Sequence, residues 1–297
     1  MSVTGNDWLA QTRSYLMSGY AENRNKLAAA YTKGDTQLTF KYPLEGIRAG
    51  ARLSLGTNTF YVWSVNGLTA EVSAGEDAST DASAPIGSLV RVAPRFTDDE
   101  IWKQLANDLA DLSSPSNGLF AINDIDLTYN ATINGYDLGP VADQLLSIYE
   151  VKYLTPGPQL DNPRIKTNGY RLNRNAVSTQ FPSGISMQMF EPAYPGYNVR
   201  VVYRSGFVMP STPLANVSST GLLQSAYDLP PIGAAIRLME GREIKRNFTE
   251  GQGDTRRAGE TPPGAVLQSS RGLMQMRASR ITAEAAKLEA LYPNFRS

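Results

Sequence analysis

The chain opens on a helical pattern: Trp8, Leu9, Thr12, Tyr15 and Leu16 recur on one face at a period of 3.6. Gly19 permits a break. The stretch "AENRNKLAAAYTKGD" then combines strong helix formers with a Gly34-Asp35 stop, which predicts a second helix. From Gln37 the period becomes two, with Leu38, Phe40 and Tyr42 alternating with polar neighbours, as do Leu53 and Leu55. "FYVWSVNGLTAEVS" reads as two strands joined at Asn66-Gly67, a pair suited to a tight primed turn. "AGEDASTDASAPIG" reads as a small, polar, mobile loop, and "SLVRVAP" closes a small β-barrel or compact sheet over residues 37 to 96.

At Thr97 the helical period returns. Thr97 and Glu100 form a capping box, and Asp98, Asp99 and Glu100 suit the positive end of the helix dipole. Ile101, Leu105, Leu109 and Leu112 share a face with Trp102 beside them, and "SSPSNG" ends the helix. Residues 119 to 210 alternate again, in "IYEVKY", "GISMQMF" and "YNVRVVYR". The Pro, Gly and Asn loops between them predict an antiparallel sandwich.

Past "FVMPSTPLANVSST" the chain is helical. "PPIGAAIRLMEGREIKRNF" has Pro at its start, and the longest helix follows from about Gly264 to Tyr292, about 43 Å. Leu267, Met274, Ala278, Ile281, Ala285, Leu288 and Tyr292 form a heptad seam, broken once where Arg271 takes a seam position. So narrow a stripe covers one partner, either the preceding helix or a neighbouring subunit. The expectation is an α+β chain: N-terminal helices (1–36), a small β-barrel-like domain with its following helix (37–118), an antiparallel β-sandwich (119–215), and a C-terminal helical hairpin with the long seam helix and a tail (216–297).

Composition narrows the chemistry. The 297 residues are 41% hydrophobic and 19% charged, with 28 basic against 28 acidic side chains, as expected of a folded protein of no net charge. From Leu229 onward there are 11 Lys/Arg against 7 Asp/Glu, an asymmetry too mild to argue nucleic-acid binding. There is no cysteine and no histidine. That removes disulfides, thiolate and imidazole metal ligands, cysteine nucleophiles and Ser-His triads. The N-terminus lacks the basic and apolar regions of a signal peptide, and no apolar run is long enough to span a membrane. Folding in a cytoplasm is expected.

The stretch from Gly241 to Ala265 looks at first like a phosphate cradle, with Gly251, Gly253, Gly259, Gly264, Arg256 and Arg257. A helix precedes it, its spacing fits no phosphate motif, and Pro262-Pro263 removes two backbone donors. It reads better as a connection between two helices. Nearby, Arg242, Lys245 and Arg246 fall within one helical arc and Arg237 points elsewhere. Ile232, Ala235, Ile236 and Met239 use one face, while Ile244 and Phe248 use another. A break at Gly241, or burial against more than one neighbour, accounts for the switch. The cations fit a solvated face, a protein interface or a face beside packaged DNA. Asp124 and Asp126 alternate along a strand, about 6–7 Å apart, a spacing open to a sheet-edge pair or a carboxylate-dependent hydrolase. Met187, Met189, Tyr194, Tyr197 and Tyr203 sit at strand period, as core and rim or as a sugar-stacking surface.

Taken in order, "SYLMSGYAENRNKLAAAY", "LTFKYPLEGIRAGARLSLGTNTFYVWSVNG", "LVRVAPRFTDDEIWKQLANDLADLSSPSNGLF", "IYEVKYLTPGP" and "LPPIGAAIRLMEGREIKRNFTEGQGDTRRAGETPPGA" resemble the head-to-tail connector, or neck adaptor, proteins of long-tailed bacteriophages. The resemblance runs nearly end to end. It implies a structural virion protein without catalytic activity or cofactor. Identical copies would form a ring, of about twelve-fold symmetry by that resemblance, that joins portal and head to tail and lets DNA pass without sequence readout. Its partners would be itself, the portal protein, and the next neck or tail-completion protein, with no membrane; it would reside in the virion neck, after assembly in the host cytoplasm. Shorter all-helical adaptors lack anything like residues 37 to 210, which the resemblance places in an outer or lower collar. Leu267, Met274, Ile281, Leu288, Tyr292, Phe295 and Arg296 would be interface residues, and Arg242, Lys245, Arg246, Arg256 and Arg257 channel or interface cations. The alternatives are a tail-completion or baseplate protein whose sandwich touches host glycans and, more remotely, the hydrolase.

Overall fold

A computed structural model describes residues 2–16, 22–79, 81–130, 132–133, 135–153, 165–191, 193, 197–250 and 265–293, with backbone alone at 78, 165, 240–250 and 265–269. The chain is mixed α+β, with four α-helices and several antiparallel sheets among the described residues. It divides into two compact units: Met1–Leu109, Met209–Ser219 and Leu223–Ile281 form the first, and Ala110–Val208, Thr220–Leu222 and Thr282–Ser297 the second.

In the first unit, α1 (Gly5–Leu16) is followed by β1 (Arg24–Lys26), β2 (Gln37–Thr39), β3 (Arg52–Leu55), β4 (Asn58–Asn66), β5 (Thr69–Ala74) and β6 (Leu89–Val92). The six strands form one antiparallel sheet in the order β1-β6-β3-β4-β5-β2. Its two edges meet at the Leu27–Phe40 bridge, so the sheet curls into a half-barrel. Leu27, Tyr31, Leu38, Phe40, Leu53, Phe60, Val62, Val72 and Val90 fill it. The β4–β5 hairpin closes on the pair Asn66–Thr69, leaving Gly67 (φ 60°) and Leu68 as its two turn residues. A positive φ favours glycine there.

The helix expected over residues 21 to 35 is not formed. Arg24, Asn25 and Lys26 pair with Arg91, Val90 and Leu89 of β6 instead. The helix propensities at stake amount to tenths of a kcal/mol per residue. Burying Leu27 and Tyr31 in the barrel is worth about 1.5–3 kcal/mol for each side chain, so tertiary packing wins. The stretch expected as a loop after β5 is tied to the barrel. Asn58 Nδ2 donates to the Ala82 carbonyl (2.6 Å), the Ala82 N–H donates to Asn58 Oδ1 (2.8 Å), and the Tyr31 hydroxyl donates to Asp81 (2.7 Å).

Helix α2 (Asp98–Leu112) starts on the expected capping box. The Glu100 N–H donates to Thr97 Oγ1 (3.1 Å), and the Thr97 N–H donates to Glu100 Oε2 (2.9 Å). Helix α3 (Leu229–Glu250) packs on α1, and Trp8 of α1 meets Tyr227, two residues before α3, edge-on at 6.5 Å. It runs without interruption through Gly241, so of the two accounts of its switching apolar face the break is absent from the helix. Helix α4 (Ala265–Leu291) matches the expected long helix and, like α2, lends residues to both units.

The second unit holds β7 (Ala121–Thr128), β8 (Tyr136–Asp137), β9 (Leu145–Tyr153), β10 (Ile165–Thr167), β11 (Tyr170–Asn173), β12 (Ser186–Met189) and β13 (Asn198–Ser205). They make a four-stranded sheet, β10-β9-β13-β7, and a three-stranded sheet, β11-β12-β8. Both sheets contribute to one buried cluster, with Val151, Val199, Val201 and Tyr203 from the first and Tyr136 and Met187 from the second.

Candidate functional site

Helix α4 was the leading sequence candidate for an interface. Of its expected seam, Ile281 and Leu288 are buried, in the first and second unit respectively. Ala285 lies beside Gly118, where a Cβ would sit 3.4 Å from the Ala285 Cβ. Met274 is 40% exposed, Met276 is 41% exposed, and Ala278 is exposed. The side chain of Leu267 lies outside the described residues, as do those of Arg242, Lys245 and Arg246; Arg256, Arg257, Phe295 and Arg296 lie outside them altogether.

Polar groups share the inward side of α4, at positions one residue before those of the expected seam. Ser270 and Glu284 are buried. Arg277 donates to Asp108 of α2 (2.8 Å), and Asp108 is also 3.6 Å from Arg237 of α3. One buried carboxylate therefore joins three helices of the first unit. Gly233 makes room for it: a Cβ there would lie 1.9 Å from Asp108 Oδ1. Arg280 closes a two-pronged pair on Asp228, both distances 3.0 Å.

A second buried cluster links α1, β6 and the start of α2. Arg13 contacts Glu22 (2.7 Å) and Asp98 (2.6 Å), and Arg91 contacts the same two acids (2.6 and 3.4 Å). Charges alternate around this ring of four, and the side chains are only 4 to 13% exposed. Arg13 also donates to the Phe96 carbonyl (2.9 Å). Sequence offered no signal for it, since the four positions are spread over 86 residues and each alone reads as surface.

In the second unit, Tyr292 sits at the end of α4 within its own chain. Its ring meets Phe120 and Tyr149 edge-on at 6.4 and 5.8 Å, and its carbonyl accepts from Arg204 (3.3 Å). The Arg204 guanidinium lies 4.3 Å from the Phe120 ring centre, a cation–π contact. Phe120, Tyr149 and Arg204 were not singled out in the sequence. Tyr149 and Arg204 lie on the adjacent strands β9 and β13 and Phe120 just before β7, a placement that only the register reveals.

Asp124 and Asp126 lie on one side of β7, as alternation requires. Arg200 of β13 reaches both, at 3.2 and 2.8 Å. Its guanidinium is pushed above the usual arginine value, first by the hydrogen bond to Asp126. The pair is thus a cross-strand ladder of ions rather than two carboxylates facing across a cleft. The first unit also has a cleft of about 530 Å³ walled by Arg52, Tyr61, Asp77, Asp99, Glu100 and Lys103. Its acids are matched within the chain: Arg52 contacts Asp77 (2.9 Å) and Glu100 (3.2 Å), and Lys103 contacts Asp99 (2.8 Å). Among the described residues no cluster of three or more His, Cys, Asp or Glu is placed to hold a metal, and no helix is long and apolar enough to cross a membrane.

Compared with models of protein families and with curated proteins, the chain matches none.

Proposed function

We propose that this chain is a structural subunit of a phage neck, one of a ring of identical copies that joins the portal and head to the tail and lets DNA pass. The observation that carries the reading is α4. It is 27 residues long, with Ile281 and Leu288 covered within the chain and Met274, Met276 and Leu291 left exposed in a single copy. Exposed apolar side chains on more than one side of a long helix suit neighbouring subunits, and Met adapts well to such contacts. The ordered resemblance of the chain to neck adaptors supplies the setting. Packaged DNA, the portal and the next neck or tail-completion protein are the other partners, and Arg242, Lys245, Arg246, Arg256 and Arg257 face either the channel or a subunit. Leu267, Met274 and the tail residues Phe295 and Arg296 serve the subunit or portal contact. Ile281, Leu288 and Tyr292 hold α4 within its own copy.

Removing Asn294 to Ser297 tests the portal contact. The truncated chain should keep its fold and its self-association yet fail to co-sediment with portal rings; unchanged co-sedimentation removes the tail from the interface.

A further inference from the structure

We infer that copies of this chain join head to tail through the two edges of the four-stranded sheet, β7 of one copy adding to β10 of the next. The inference rests on the ring reading and names the contact that would build the ring.

Topology comes first. The sheet runs β10-β9-β13-β7 with every neighbour antiparallel. An even number of strands leaves its edges running in opposite directions. A second copy related by rotation about an axis along the strands therefore brings β10 beside β7 as one more antiparallel pair. β7 pairs with β13 over eight consecutive residues, Ala121 to Thr128, without a register shift. A regular edge of that length turns a row of backbone N–H and C=O groups outward, a template for another strand.

Charge then selects the partner. Register places Asp126, Arg200, Lys152 and Lys166 in one row across β7, β13, β9 and β10. Arg200 holds Asp124 and Asp126, while Glu150 holds Lys152 (2.5 Å) and Lys166. The charged side chains of the β7 edge strand are thus two acids, Asp124 and Asp126, and that of the β10 edge strand is the base Lys166. Head-to-tail addition sets Lys166 of one copy against Asp124 and Asp126 of the next, an opposite-charge cross-strand contact. A two-fold β7–β7 contact would gather four carboxylates, and β10–β10 would set Lys166 against its own copy; like charges opposite one another destabilise a strand pair. A contact between two different edges repeats around an axis and closes into a ring when the rotation permits.

Asp124 and Lys166 are 52% and 61% exposed at their side chains, so reversing either charge leaves the core untouched. In native mass spectrometry and sedimentation over a range of concentrations, Asp124→Lys alone and Lys166→Glu alone should each raise the concentration needed for assembly about tenfold or more, from replacing an attractive cross-strand pair by a repulsive one. Mixed in equal amounts, the two variants should assemble like the unmodified chain, because each interface again joins opposite charges. The milder Asp124→Asn and Lys166→Gln should shift assembly in the same direction by a few-fold, which keeps the test valid if a reversal disturbs folding. No effect of Lys166→Glu would overturn the inference, and assembly strengthened by Asp124→Lys would indicate β7–β7 pairing instead. Assembly indifferent to all four variants would overturn the edge contact and leave the ring reading standing. An unmodified chain that stays monomeric at every concentration would overturn the ring reading itself.

Discussion

The two units use the same ions for opposite ends. In the first, Arg13, Glu22, Arg91 and Asp98 close a ring of alternating charges shut away from solvent. In the second, Asp124, Asp126 and Arg200 form a ladder on an open sheet face. Burial decides what each can do. A buried ion pair repays its desolvation only while every member is present, so losing one strands a charge in a poor dielectric. An exposed pair is screened by water and salt and adds little to stability, which leaves its charges available to steer a partner. The buried ring fixes an architecture, and the exposed ladder equips a surface.

The sharpest break of that comparison is Arg13→Ala, which removes two of the four contacts of the ring. It should cost about 3–5 kcal/mol in denaturant unfolding, with a large drop in melting temperature. Gly233→Ala should come next, at about 1–3 kcal/mol or more, because its methyl group enters the space of the Asp108 carboxylate. Adding Asp108→Ala should recover part of that loss, a non-additivity read from a double-mutant cycle.

Alkaline pH supplies a subtler probe of the first unit. Burial, with the bond to Asp81, pushes the Tyr31 hydroxyl up to about 12 from an ordinary value near 10. The neutral phenol is thus favoured by the fold. Its contribution is complete below pH 10 and lost as pH rises towards 12, about 1–3 kcal/mol in all. Tyr31→Phe should flatten this part of the curve of unfolding free energy against pH. Thr97→Ala, which opens the α2 capping box, should cost about 1 kcal/mol. Smallest of all, Asp126→Asn on the exposed ladder should change stability by less than about 1 kcal/mol, and a larger loss would erase the distinction between the two networks.

What could be read in the sequence was local. The capping box at Thr97, the β4–β5 hairpin (its turn one residue later than expected, at Gly67 and Leu68), the extent of α4 and the alternation that puts Asp124 and Asp126 on one side all rest on neighbours within a few residues. What could not be read is settled at a distance. Residues Arg24 to Lys26 look helical by propensity yet form a strand, because the half-barrel needs an edge there and buries Leu27 and Tyr31. The inward side of α4 carries Arg277 and Glu284, which any periodicity argument turns outward, because Asp108 waits on α2 for one of them. Gly233 and Gly5 look like weak points in helices. Each is small because another side chain occupies its Cβ position, Asp108 in one case and Trp102 in the other. The charge ring needed four positions that only the folded chain brings together.

The proposed ring requires the chain to close into an assembly of its own copies. Electron microscopy of the purified full-length protein across a range of concentrations tests it most directly. Closed rings of one uniform size, with an opening wide enough for duplex DNA, are the expected result. A population of monomers at every concentration, or of open filaments that never close, would contradict it.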